Sequence, residues 1–92
     1  MIRSFRCKDT QALFETGKTR RWPSLKAVAE RKLLQLHAAE ALADLNAAPG
    51  NRLEALAGDR EGRHSIRIND QWRVCFRWTP EGPEDVEIVD YH

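Results

Sequence analysis

Hydrophobic spacing divides the chain into two halves of different period. In the first, Leu25, Val28, Ala29, Leu33, Leu36, Ala39 and Ala43 fall on one helical stripe. Leu34, Leu42 and Leu45 fall off it, so the pattern predicts a break near 37–40 and two helices instead of one. Pro23-Ser24 opens the first of these, with Ser24 as N-cap, and Pro49-Gly50 ends the helical half. Upstream, Ile2 to Phe5 alternates apolar and polar and reads as a first strand. Asp9 can cap a short helix over 10–16 that Gly17 closes. Lys18 to Trp22 is a basic loop.

The second half has period two. Arg52–Leu56 reads as a short strand, and Gly58-Asp59-Arg60-Glu61-Gly62 as a polar turn. Ile66 and Ile68 alternate with Ser65 and Arg67, and Asn69-Asp70 suits a two-residue hairpin turn. Trp72, Val74, Phe76 and Trp78 then alternate with Arg73, Cys75 and Arg77. A Gly/Pro turn over 79–83 leads to a last strand, Val86 to Tyr91. Strand, helices and meander in that order predict an α+β fold, N-terminal helices packed on a small antiparallel sheet.

Length and charge narrow the function classes. Ninety-two residues suggest one domain over 1–92. Neither a membrane span nor a signal peptide is expected, so the chain reads as cytoplasmic. Cys7 and Cys75 lack the paired spacing of a zinc site; no metal or cofactor is expected, and Cys75 reads as core. The net charge of +1 hides an asymmetry: residues 1–33 carry nine Lys/Arg and three Asp/Glu, residues 34–92 six and eleven. That excludes a uniformly cationic nucleic-acid coat but not a local basic groove.

Period two puts Trp72, Val74, Phe76 and Trp78 toward the helices and Arg73, Cys75 and Arg77 on the opposite face, where Arg67 can join them. Two readings fit such a face. Either it is solvated, with its arginines paired to Glu87 and neighbouring acids, or it binds a polyanion. Asp90-Tyr91-His92 ends the chain. Histidine exchanges protons near neutral pH, and a tyrosine beside cations can do the same. RNA cleavage needs a base, an acid and positive charge on the phosphorane, and a Tyr-His pair beside arginines supplies all three. A frayed, idle chain end is the plainer reading. Trp22 is either a staple over the following helix or a base-stacking platform. His37 reads as structural or exposed, whereas His64 precedes the strand of Arg67 and can reach the groove.

The run from Gly58 to Gly62, then Ser65-Ile66-Arg67-Ile68-Asn69-Asp70-Gln71-Trp72-Arg73-Val74-Cys75-Phe76, resembles the core of the HigB branch of the RelE-type toxins. The ending Val86-Glu87-Ile88-Val89-Asp90-Tyr91-His92 and the start Met1-Ile2-Arg3-Ser4-Phe5 match as well. Thr16-Gly17-Lys18-Thr19-Arg20-Arg21-Trp22 is similar to the GraT-like subgroup. The resemblance implies a microbial-ribonuclease-like fold and a ribosome-dependent endoribonuclease that cleaves messenger RNA in the ribosomal A site. It implies a helix-turn-helix antitoxin as partner (HigA/GraA-like), with operator DNA bound only through it. By position it assigns catalysis to Arg73, Asp90, Tyr91 and His92, with Arg60, Arg67, Arg77 and His64 available to RNA. The chain departs from the family at two positions: Glu54 stands where characterised members have histidine, and Ala57 where they have lysine. Glu54 is then either a carboxylate available as base or a surface carboxylate, and Arg60 and Arg67 can supply the replacement charge. The competing functions are a non-catalytic ribosome- or antitoxin-binding module serving as co-repressor and, with no basic recognition-helix face to support it, a DNA-binding protein in its own right.

Overall fold

Gly17 takes the left-handed conformation (φ 71°) and its N–H returns to the Leu13 carbonyl, ending helix α1, Lys8–Thr16. The structure, a computed structural model, describes residues 1–60 and 62–90 and, at Arg60, the backbone alone. Asp9 does not cap α1. Cys7 holds the N-cap position without a side-chain bond, and the Asp9 carboxylate reaches across the basic loop to Arg21 at 3.3 Å. Ser24 is likewise no cap: Pro23–Leu25 forms a 3₁₀ turn, and α2, Lys26–Ala38, starts behind it. Proline at the first position favours that tight entry, since it has no N–H to satisfy.

The predicted break is present. Ala39 turns extended after α2, and α3, Leu42–Ala47, follows. The Asp44 carboxylate accepts the N–H groups of Glu40 and Ala41, holding the corner. The break lets Leu45, off-stripe in a continuous helix, reach full burial, while Ala43 ends up exposed and Leu34 stays 62% exposed.

Four antiparallel strands follow in spatial order: β1 Glu54–Ala55, β2 Arg63–Arg67, β3 Trp72–Thr79 and β4 Gly82–Asp90. The β2–β3 connection is longer than the two residues expected. Asn69 Oδ1 accepts the N–H of both Gln71 and Trp72, so the asparagine side chain builds the turn. Ile2–Phe5 does not form a full strand. Residues 3–6 run parallel to β4 through bonds to Pro83 and Val86, with one bridge, Phe5 to Val86. Pro83 has no N–H, and the β4 bulge at Asp85 (φ 52°) breaks the register. Thr10 of α1 closes part of the same edge, its buried hydroxyl accepting the Ile88 N–H at 3.1 Å.

The helices cover one sheet face. Leu13, Leu33, Leu36 and Leu45 meet Ile66, Val74, Phe76, Val86 and Ile88 in one core. Trp22 belongs to it: 2% exposed, it packs edge-on against Trp72, so it is the staple and not a base platform. None of the described helices is long and apolar enough to cross a membrane.

Candidate active site

The other sheet face is built by cross-strand register. Glu54, Ser65, Cys75 and Glu87 form one row across the four strands. Arg67, Arg73 and Val89 form the next row, and Arg63, Arg77 and Glu84 a third. Alternation therefore puts the expected arginines on one face. It puts His64 on the other: its neighbour in register is Phe76, on whose ring it stacks with centroids 6.2 Å apart. His64 Nδ1 is buried with no hydrogen-bond partner among the described residues. The expectation that His64 reaches the groove is corrected by this odd–even placement.

The face is not an open arginine surface. Arg73 is only 6% exposed, as is Arg63, and Ser65 and Cys75 are buried beside them. Arg73 donates from Nε to Ser65 Oγ at 2.8 Å, and from Nη2 to the Arg52 carbonyl at 2.5 Å and the Ser65 carbonyl at 3.2 Å. Its Nη2 also lies 3.9 Å from the Glu54 carboxylate. A guanidinium presents five donors in a rigid fork, and here that fork ties β3 to β2 and to the chain entering β1.

Arg63, which is not among the candidate site residues of the sequence, does the same on the far side. It donates to the Asp85 carbonyl at 2.8 Å and pairs with Glu87 at 3.4 Å, and Glu87 also meets Arg6 at 3.6 Å. The outer arginines are held more loosely: Arg67 pairs with Asp70, whose side chain is almost fully exposed, and Arg77 with half-exposed Glu84 at 3.7 Å. The reading of arginines paired to neighbouring acids thus describes this face among the described residues. Two classes result: buried arginines with several fixed partners, and partly exposed ones whose pairs to exposed acids contribute about 0–1 kcal/mol.

Of the remaining sequence candidates, Glu54 joins the cluster through Arg73, on an edge strand of two exposed residues. Asp90 ends β4 in register with Trp72, one position past the Arg73–Val89 pair, and accepts from Gln71 Nε2 at 3.1 Å. Arg60 lies in the 3₁₀ turn Gly58–Arg60. Tyr91 and His92, the acid–base candidates, lie outside the described residues. Arg73 on β3 thus stands between Glu54, which its guanidinium approaches from edge strand β1, and Val89, its register partner near the end of β4 on the other edge; alternation puts Asp90, level with Trp72, on the face opposite Arg73.

Next to the Arg52 carbonyl that holds Arg73 sits a polar node that went unnoticed in the sequence. Lys32 of α2 is 6% exposed and donates from Nζ to Oδ1 of fully buried Asn51. Burial lowers the Lys32 pKa below its ordinary value, and the nearby charges of Arg31 and Arg67 lower it further. The signal was spacing: Lys32 stands at helical intervals from Leu25, Ala29 and Leu36, a core position held by a charge.

A sequence profile described as the RelE-like toxin of type II toxin-antitoxin system HigB matches residues 3–92. A protein named Toxin HigB-1, from Vibrio cholerae serotype O1 (strain ATCC 39315 / El Tor Inaba N16961), is 40% identical over 80 residues, 85% of this chain and 84% of that protein. One named Endoribonuclease HigB, from Proteus vulgaris, is 33% identical over 93 aligned positions that cover both chains completely. With helices on one face of a four-stranded antiparallel sheet and the profile matched from residue 3 to the last, the chain belongs to the HigB-like family, the RelE-like toxins of type II toxin–antitoxin systems.

Proposed function

We propose that this chain is an endoribonuclease that cuts messenger RNA in the ribosomal A site by acid–base chemistry without a metal, and so stops translation in the cytoplasm. The observation that carries the reading is the fixed guanidinium of Arg73, 3.9 Å from the Glu54 carboxylate and level with Val89 near the end of β4. Such a guanidinium supports the extra negative charge of the phosphorane without reorganising during the reaction. Glu54 or the C-terminal Tyr91 and His92 take the 2′-hydroxyl proton and return one to the 5′-oxygen. Arg67 and Arg77 exchange their exposed carboxylates for RNA phosphates at small cost, because those pairs contribute little. Arg60 adds charge from the neighbouring turn. The small size of this surface favours RNA already held by the ribosome, which supplies orientation.

The partner in this reading is a helix-turn-helix antitoxin that neutralises the toxin and carries it to operator DNA for shared repression. The exposed loop of Lys18, Arg20 and Arg21 is a candidate contact. Placement in the GraT-like subgroup rests on the segment 16–22 alone. Primer extension on messenger in a purified translation system tests the activity: cuts within codons positioned in the A site, with 2′,3′-cyclic phosphate or 3′-phosphate ends, are expected. Intact messenger at inhibitory protein concentrations would instead favour a non-catalytic module that occupies the ribosome or the antitoxin. The acid-paired, buried state of Arg73 and the absence of the family's histidine at Glu54 are what support that second reading.

A further inference from the structure

We propose that Lys32 and Asn51 are positioning residues for Arg73, acting through the backbone of Arg52; the catalytic part of this rests on the function proposed above. The chain is short and continuous. Lys32 Nζ donates to Asn51 Oδ1, and Asn51 Nδ2 donates to Gln35 Oε1 and to the Leu45 carbonyl, both at 3.1 Å. The Asn51 carbonyl accepts the Arg67 N–H at 2.6 Å, tying the same residue to the end of β2. The next residue, Arg52, has φ 46°, and its carbonyl accepts Arg73 Nη2.

Each link has a physical reason. A left-handed conformation is unfavourable for a non-glycine residue and persists only where its surroundings impose it. At Arg52 the imposing contacts are those of Asn51 next to it, whose amide oxygen and nitrogen are both committed. The donors and acceptors of the amide settle its orientation: oxygen toward Lys32, nitrogen toward Leu45 and Gln35. Lys32 is the costly element. A methionine would fill the same space without desolvating a charge or facing Arg31 and Arg67. What lysine adds is the donor that pins the Asn51 oxygen. The node therefore fixes the Arg52 carbonyl, and that carbonyl, with Ser65, fixes the Arg73 guanidinium.

The test uses the full-length chain with Lys32→Met, Asn51→Ser and Arg73→Lys, alone and with Lys32→Met and Arg73→Lys combined. The first readout needs no cleavage: the Arg73 Nε–Hε resonance and its hydrogen-exchange rate in the free protein. In Lys32→Met and Asn51→Ser that resonance should shift and exchange faster, while the dispersed amide spectrum of the core remains. The second readout is steady-state cleavage on ribosomes. Each single variant should lower kcat on the order of 10–100-fold, as expected for a misplaced catalytic group, with KM little changed. Lys32→Met should add less than about twofold to the loss already caused by Arg73→Lys, because both act through one group. An unchanged Arg73 resonance in either folded variant overturns the proposal, as do losses that multiply in the combined variant. Where a variant does not fold, Lys32→Gln replaces it: it retains an N–H donor of shorter reach and should give an intermediate shift. A wild-type protein that leaves messenger intact would refute the ribonuclease reading, while the Arg73 resonance would still decide the positioning.

Discussion

Arg73 and Arg77 are four residues apart on one strand and one face, yet they answer to different physics. Arg73→Ala leaves the Arg52 carbonyl and the Ser65 hydroxyl without their donor in a buried setting, so roughly 1–3 kcal/mol of stability should go with it. If the guanidinium also stabilises the phosphorane, kcat should fall roughly 10²–10³-fold. Arg77→Ala breaks one half-exposed pair with Glu84, and stability should stay within about 0.5 kcal/mol. Urea unfolding and cleavage rates on the two variants make the comparison; equal destabilisation would contradict the burial contrast. Lys32 adds a pH dependence whose sign is fixed. Its folded pKa lies below the ordinary 10.5 because burial and two arginines disfavour the charge. Between the folded and unfolded values the unfolded chain binds more protons, so stability should rise with pH across that window and level off above it. The neutral amine still donates to Asn51. Urea titrations of wild type and Lys32→Met across the alkaline range should therefore differ increasingly in favour of wild type as pH rises toward 10.5. A difference that shrinks with pH would mean the lysine is stabilised in its charged form.

At the scale of elements, the ends and turns show where side chains replace regular structure. Asn69→Ala removes the acceptor for two backbone N–H groups in the β2–β3 turn and should cost about 1–2 kcal/mol in thermal or urea unfolding, leaving the strands paired. No loss would mean that water replaces the asparagine fully. Much of this level was legible from periodicity. Leu25, Ala29, Leu33 and Leu36 gave α2 and its buried side; the off-stripe Leu45 gave the break before α3. Alternation of Val74 and Phe76 with Arg73 and Cys75 gave the two faces of β3. Less legible was anything decided by contacts distant in sequence. Asp9 looks like a cap because it is acidic before a helix, but Arg21 is available to it across a loop. Ile2–Phe5 alternates like a strand, but the Asp85 bulge denies it a ladder. The polar positions of β2 and β3 gave the arginines, and nothing local told that Arg63 and Arg73 fold down onto backbone carbonyls. The catalytic assignment to Arg73, Asp90, Tyr91 and His92 came from family pattern; register sets Asp90, level with Trp72, on the face opposite Arg73, and the last two lie outside the described residues.

The whole molecule presents one sheet face where catalysis is proposed and a basic loop at 18–21 remote in sequence from it. On the arginine face of the sheet the charge is locally balanced: buried Arg63 and Arg73 are matched by Glu87, Asp85 and Glu54, and Arg67 and Arg77 each meet one acid. Such a surface attracts free RNA weakly, because strong non-specific binding needs many unneutralised cations whose counterions are released together. Orientation must then come from elsewhere. In the proposed function the ribosome supplies it by presenting the messenger in the A site, and a bimolecular step becomes effectively intramolecular. The expected outcome is a large difference between substrates: rapid cutting of messenger on programmed ribosomes, and little or none of the same RNA free in solution at equal concentration. Deleting Tyr91 and His92 should abolish the ribosomal activity while Val86 and Ile88, which stay in place, keep the core intact. Circular dichroism and primer extension on the same preparations separate the two effects. Efficient cutting of free RNA by the wild type would mean that this surface orients substrate unaided. A folded, fully active truncation would move the acid–base chemistry back to Glu54 and Arg73.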